Sequence, residues 1–307
     1  MGKIDPAMRA LGVSLALLLV FANLAPAGAQ QQLLHQERSL YRNIFVTQDA
    51  DERCMLFRWP RPLGRESCRL LHQPNKLIFD YTQMMLAGLY LNPNPKRILI
   101  VGEGGGTIPT ALQEMLPNAQ IDLVELDKAV DGVARNYFDF KPGPNTRVFI
   151  EDGRVFVKRM MPQKPNYDLV LLDAFDADYI PEHMLTREFL QEVKSDMAPN
   201  GVIVANTFSD SALYDHESAT YQTVFGSFFN LKLANRIIVG RAGGIKPDDL
   251  ANARKNAMLL EAEFARRGTG ANFLLPLLST NVDWDKNARI LTDQYSPSNL
   301  LNALPRR

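Results

Sequence analysis

From Ser39 the chain reads SLYRNIFVTQDADERCMLFRW, two apolar stretches on either side of the polar turn Gln48-Asp49-Ala50-Asp51. That pattern predicts two strands paired as a hairpin, so residues from about 36 to 74 read as a small β appendage. KLIFDYTQMMLAGLYL follows, apolar at spacings of three and four, which predicts a helix with one buried face. Asn92-Pro93-Asn94-Pro95 ends it and serves as a linker. Beyond the linker, strand and helix alternate. RILIVG (97–102), QIDLVELD (120–127), RVFIED (147–152), YDLVLLD (167–173) and GVIVANTF (201–208) read as strands. Helices fall between them, one through Met115, one over 128–137 and one that Thr186 could cap. LKLANRIIVG adds strand character, and a last helix spans about Leu250 to Arg267. Strands this uniformly apolar are buried on both faces, which implies an α/β fold with a parallel sheet covered by helices.

Composition sharpens this by exclusion. Hydrophobic residues make up 46% and charged residues 22% of 307, which argues against disorder and against a multi-span membrane protein. With 34 Lys+Arg against 34 Asp+Glu, nothing in the bulk charge calls for nucleic acid. The amino terminus departs from the average. Lys3 and Arg9 precede the uncharged run Leu11 to Phe21, and Ala27-Gly28-Ala29 follows. The run is shorter than the ~20 residues of a spanning helix. Residues 1–29 therefore read as a cleaved export signal, placing the mature chain in an exported, periplasmic setting; a chain that keeps the segment, membrane-anchored or cytoplasmic, is the alternative. Cys54 and Cys68 would then meet an oxidising compartment and could pair, and two buried free thiols are the other reading. Two cysteines are too few for a thiolate zinc site, and His35, His72, His183 and His216 show no ligand spacing, so no metal is expected. His183 and His216 read as loop or surface residues rather than catalysts.

Candidate chemistry gathers at the carboxyl ends of the strands, where an open parallel sheet binds its ligand. The first ends in Gly102-Glu103-Gly104-Gly105-Gly106-Thr107, a turn whose backbone N–H groups can approach a ligand closely and which opens a helix. Thr107 stands where the dinucleotide fingerprint G-x-G-x-x-G needs Gly, which weakens an NAD reading. The second strand ends in Glu125-Leu126-Asp127, some twenty positions on, where a carboxylate can accept both ribose hydroxyls. The third ends in Glu151-Asp152-Gly153, where a carboxylate could take the exocyclic amine of adenine. Together these ends point to a nucleoside. The fourth stops on Asp173-Ala174-Phe175-Asp176-Ala177-Asp178, a cluster of negative charge suited to a cationic substrate.

These motifs, NPNPKRILIVGEGGGTIP, DLVELDKAVDGVARNYF, EDGRVFV, YDLVLLDAFDA and LTREFLQEVKSDMAPNGVIVAN, resemble as a set the spermidine synthase (polyamine aminopropyltransferase) family, from about Glu37 to Val239. The resemblance implies a Rossmann-like, seven-stranded sheet of the class I S-adenosylmethionine-dependent methyltransferase type, carrying a small amino-terminal β-hairpin appendage. The domains expected are the signal (1–29), the appendage and connecting helix (36–90), the nucleoside-binding catalytic domain (95–240) and a carboxy-terminal extension (241–307) that covers the sheet or makes a dimer contact. By the same resemblance Gly102, Gly104 and Gly106 line the nucleoside, Glu125 holds the ribose, and Asp152 with Gly153 meets the adenine. Asp173 is the general base, Asp176 holds an acceptor amine, and Tyr81 lies beside the polyamine site. The implied co-substrate is decarboxylated S-adenosylmethionine, or S-adenosylmethionine itself, with a small cationic amine as acceptor and a homodimer as assembly.

Departures from the family pattern keep other readings open. The Asp of the family's Gly-rich turn is replaced by Gly105, its Tyr-Gln pair by Tyr41-Arg42, its helix motif by Tyr81-Thr82-Gln83, and the Pro after its second loop Asp by Ala177. A methyltransferase using the same pocket and a non-catalytic exported nucleoside- or polyamine-binding protein are the alternatives.

Overall fold

A computed structural model describes residues 31–60, 64–175 and 180–306. The expected export signal and Asp176 lie outside the described residues. The appendage is larger than a hairpin. Strands β1 (Gln32–Arg38), β2 (Asn43–Asp49), β3 (Glu52–Leu56) and β4 (Arg65–Leu70) form an antiparallel sheet in chain order. The predicted hairpin is β2–β3, turning between the paired residues Asp49 and Glu52. β1 escapes the sequence pattern because it is an edge strand, largely exposed, with no buried face to impose alternation. Cys54 and Cys68 are direct partners across β3 and β4 and form a disulfide.

The single predicted helix over KLIFDYTQMMLAGLYL is two pieces, α1 (Asp80–Met85) and α2 (Gly88–Leu91). At the break, Leu86 N–H donates to Gln83 O and Ala87 N–H to Met84 O, a tightened three-residue turn. Every residue from Thr82 to Leu91 is buried, so the segment lacks the polar face that a periodicity argument assumes. It is wedged against the main sheet on one side. On the other lies α8 (Asp249–Arg266), where Phe264 stacks on Tyr90 and Asn256 Nδ2 donates to Tyr90 O at 2.9 Å.

Seven strands make the main sheet. β5 (Arg97–Val101), β6 (Gln120–Glu125), β7 (Thr146–Ile150), β8 (Tyr167–Leu172) and β9 (Met197–Phe208) run parallel; β10 (Phe228–Lys232) and β11 (Asn235–Arg241) are antiparallel, in the order β10-β11-β9-β8-β5-β6-β7. Helices α3 (Thr107–Met115), α4 (Lys128–Tyr137), α5 (Gly153–Met160), α6 (Arg187–Asp196) and α7 (Leu213–Phe225) connect the strands. Ile98, Leu99 and Ile100 of β5, with Leu169, Val170 and Leu171 of β8, are fully or almost fully buried on alternating faces, each side chain contributing about 1.5–3 kcal/mol through burial. Thr186 caps α6 as predicted, accepting from Phe189 N–H. From β5 the chain lays strands outward through β6 to β7, then returns to the other side of β5 with β8. The order therefore reverses between β5 and β8, and a crevice opens at their carboxyl ends.

The carboxy-terminal extension braces this crevice. After α8 come α9 (Ala271–Leu274) and α10 (Ser298–Asn302). Asn299 bonds both the N–H and the O of Ile180, and Asp293 shares Arg154 of α5 with Glu192 of α6. No helix of the described residues is long and apolar enough to cross a membrane.

Candidate active site

A cleft of about 1270 Å³ occupies the switch point, with strand ends as its floor and the amino-terminal region, through Tyr41 of the β1–β2 connection and Ser67 of β4, as part of its wall. That volume suffices for a nucleoside and a second substrate together. Gly102, Gly104, Glu125, Asp152, Gly153, Asp173 and Tyr81 all line it, so seven of the nine site residues expected from the sequence come together.

The turn after β5 shows why it is glycine-rich. Gly102 has φ +100°, and a Cβ there would stand 2.0 Å from Asp173 O, so only glycine lets the ends of β5 and β8 close up. Gly106 lies off the cleft: it precedes α3 with φ +74°, and the space a side chain would need is filled by the Phe140 ring at 2.6 Å. Its part is to let the turn enter the helix. At Gly105, where the family has Asp, a Cβ would meet Ser67 Oγ at 2.6 Å and Phe138 at 3.0 Å. The amino-terminal sheet has taken the room that a side chain would occupy.

Three of the carboxylates that line the cleft are held in different states. Glu125 Oε2 accepts from Glu103 N–H at 3.0 Å and Oε1 from Asp127 N–H at 2.9 Å, which fixes the carboxylate toward the cleft. Burial raises its pKa, and the two backbone donors oppose the rise. Asp152 caps α5, its Oδ1 accepting from Arg154 and Val155 N–H, while Oδ2 meets His183 Nε2 at 2.9 Å. The His183 contact and the cap bonds hold its pKa below the ordinary value. Asp173, just past the end of β8, is only partly exposed, through the cleft. Burial pushes its pKa up to about 6; donation from Asn206 works against the rise and the Glu125 charge adds to it. Tyr81 lines the cleft with its phenol pKa raised well above the usual value by burial first, then by Asp173 and Glu66.

Other residues of the site were not anticipated. His183, expected to be a loop or surface residue, lines the cleft and engages Asp152; no spacing pattern announces a contact across 31 residues. His216 does lie away from the cleft, bonded to Arg289 O. Glu103 of the Gly-rich turn is buried and its carboxyl is pushed up to about 9 by burial and by the neighbouring Asp131 and Glu125 charges, so it is protonated at neutral pH. Asn206 and Asn235 also line the cleft. An asparagine closing the apolar run VIVAN was the one visible signal. Among the described residues a single group of potential metal ligands gathers, Glu52 with Cys54 and Cys68, and its two sulfurs are bonded to each other.

Residues 78–235 match the spermine/spermidine synthase domain family. A polyamine aminopropyltransferase of Vibrio vulnificus (strain CMCP6) is 43% identical over 277 residues, spanning 89% of this chain and 92% of that one. The chain belongs to the spermine/spermidine synthase family. A solved structure of a probable spermidine synthase from Corynebacterium glutamicum ATCC 13032 matches with TM-score 0.62 at 21% identity, covering 73% of this chain and 86% of that one, a likeness of fold. Human methyltransferase-like protein 13, solved in complex with SAH, matches with TM-score 0.52 at 25% identity, covering 73% of this chain and all of that one. The seven-stranded sheet of this spermine/spermidine synthase family member is thus of methyltransferase type, as the family resemblance implied.

Proposed function

We propose that this protein transfers an aminopropyl group from decarboxylated S-adenosylmethionine to a small cationic amine, with Asp173 as the general base. The acceptor nitrogen attacks the carbon beside the sulfonium; a C–N bond forms, the C–S bond breaks with its electron pair going to sulfur, and methylthioadenosine leaves. An alkyl amine of pKa about 10.4 is neutral in only about one part in a few thousand at pH 7, so a proton must be taken up before or during attack. The carrying observation is Asp173 itself: a carboxylate at the switch point, in the same cleft as the Gly-rich turn and Glu125, whose pKa of about 6 leaves it ionised at neutral pH yet basic enough to accept a proton. Glu125 serves as ribose acceptor and Asp152, through Oδ2, as the adenine contact. Asp176 is the acceptor-amine ligand in this scheme. The name of the Vibrio vulnificus relative supports the reaction class.

One observation favours a methyltransferase as second reading: Gly105 replaces the turn's Asp, and Ser67 fills the space. Thermal stabilisation of the purified chain by methylthioadenosine, S-adenosylhomocysteine and polyamines in parallel separates the readings, because a ligand that binds only the folded state raises its stability. A shift with methylthioadenosine and none with S-adenosylhomocysteine supports aminopropyl transfer. The reverse supports methyl transfer, and a response to neither nucleoside removes both enzymatic readings, leaving polyamine binding. Export to the periplasm with loss of residues 1–29 belongs to the same proposal; the Cys54–Cys68 bridge suits an oxidising compartment, and amino-terminal sequencing of the mature chain tests it. A homodimer is also proposed, to be checked by light scattering.

A further inference from the structure

We infer that Asn206, itself oriented by Asn235, is a positioning residue that holds the Asp173 carboxylate by one oxygen and leaves the other to the acceptor amine. The inference rests on the base role proposed for Asp173 and adds the groups that make the role possible. Asp173, Asn206 and Asn235 stand at the cleft ends of three adjacent strands. β8 and β9 are parallel with Leu172 beside Ala205, which brings the next residues, Asp173 and Asn206, together. β11 runs antiparallel to β9 with Asn235 opposite Phe208, so its first side chain reaches back to Asn206.

The hydrogen bonds form a directed chain. Asn235 Nδ2 donates to Asn206 Oδ1 at 3.2 Å, and Asn206 Nδ2 donates to Asp173 Oδ1 at 2.9 Å. A carboxamide has one acceptor end and one donor end. Turned over, Asn206 would set its carbonyl against a carboxylate, and Asn235 would lose its acceptor. The amide direction is therefore fixed by its neighbours. Asn206 is 8% exposed, which keeps water from replacing it.

The electrostatic setting makes this donor matter. The Glu125 carboxylate faces Asp173 and disfavours its ionised form, as burial does. The Tyr81 phenol packs nearby from α1, its own ionisation suppressed by burial first and then by the Asp173 and Glu66 charges. Among the described residues Asn206 is the one side-chain donor that favours the ionised form of Asp173. Donation to a charged acceptor favours that state over the neutral one. Without it, burial and Glu125 would carry the carboxyl further up and shrink the ionised fraction near neutral pH.

The test is the pH profile of kcat/KM in Asn206→Leu, which keeps the size and removes both polar ends. The acid limb is expected to move upward by about one pH unit, the amount a charge-assisted hydrogen bond commands, which lowers kcat/KM about twofold at pH 7 and about tenfold on the acid side of the limb. Asn206→Gln, which retains the donor, should bring the limb back toward its wild-type position. Asn235→Ala should move the limb in the same direction by less, since it frees the amide without deleting it. Stabilisation by methylthioadenosine reports folding and nucleoside binding in each variant; if the leucine variant fails that check, the Asn235→Ala limb decides alone. An acid limb that stays in place overturns the inference. Asp173→Asn in parallel separates the two failures: turnover surviving in that variant removes the base reading, whereas its loss beside an unmoved limb removes only the part assigned to Asn206.

Discussion

The two halves of the cleft floor hold their carboxylates differently. On the β6–β7 side, Glu125 and Asp152 each accept two backbone N–H groups, Asp152 from the start of α5 and Glu125 from Asp127 just after its own strand and from Glu103 in the Gly-rich turn after β5. On the β8–β9 side, Asp173 has a single side-chain donor and a pKa of about 6. Backbone donors cannot be removed or rotated without remaking the turn, so they suit groups that bind the same partner in every state of the reaction. A group that must gain and lose a proton is better served by a sparse, adjustable environment near neutral pKa. Under the proposed function, the contrast matches Glu125 and Asp152 as binding acids and Asp173 as the reacting one.

Asp173→Asn puts the largest strain on that contrast. Turnover is expected to fall about 100- to 10,000-fold while the methylthioadenosine-induced thermal shift persists; comparable losses of both would mean that Asp173 is a binding acid like the others. The same variant has a stability signature. The folded-state pKa of about 6 lies above the ordinary 3.8, so the folded state favours the protonated form, and that contribution is present below about pH 4 and lost as pH rises through 6. At pH 7.5 the asparagine variant should be more stable than wild type by about 1–3 kcal/mol, a figure kept low because the cleft leaves Asp173 partly exposed. Melting curves at pH 7.5 and pH 4 check this, the gain fading at the lower value.

Glu125→Ala comes next. Here the loss should appear in donor KM, about 10- to 100-fold, with kcat within a few-fold, since a charge-assisted bond to a ribose hydroxyl is made in ground and transition states alike. A kcat effect as large as the KM effect would show that the two halves are not separate in function.

The same contrast explains what could be seen in the sequence. Strands β5, β6, β8 and β9 are legible because burial on both faces leaves apolar runs, interrupted in β6 only by the buried Asp122, and Glu125 and Asp173 are legible because the runs stop at them. The β2–β3 hairpin was legible from its turn. α1 and α2 were merged because a segment buried on all sides has apolar residues at helical spacing whether or not the helix is continuous. β1 was invisible as an exposed edge, and β4 because its register with β3 is a tertiary fact; the pairing of Cys54 with Cys68 follows from that register. On the binding side three of the four donors are backbone groups within three residues of the acid, and the fourth, Glu103 N–H, belongs to the Gly-rich turn that the sequence already marks. On the reacting side they are side chains from other strands, Asn206 and Asn235, which local pattern does not connect to Asp173.

Gly105→Asp restores the family's acid on the binding side and asks whether the chain has room for it. Its Cβ would come within 2.6 Å of Ser67 Oγ and 3.0 Å of Phe138 Cδ1. Overpacking of this kind costs about 1–3 kcal/mol, so a lower melting temperature is expected, partly recovered in the double variant with Ser67→Gly. Full stability of Gly105→Asp alone would show that β4 yields easily and that the absence of the acid reflects donor chemistry, not space.

His183→Ala should have the smallest effect, and for that reason it probes the binding half most finely. The His183–Asp152 contact is half-exposed on the histidine side, and such pairs are worth about 0–1 kcal/mol. Without it Asp152 keeps both bonds from the start of α5, so its direction is preserved. Its pKa would rise toward the ordinary carboxylate value and still leave it ionised at pH 7, so the neutral-pH rate should not respond through charge. Donor KM is therefore expected to stay within about threefold of wild type. A tenfold increase would place the imidazole itself against the nucleobase, because the two backbone bonds to Asp152 could not account for it. The nucleobase end of the cleft would then depend, like Asp173, on a side chain brought from a distant part of the chain.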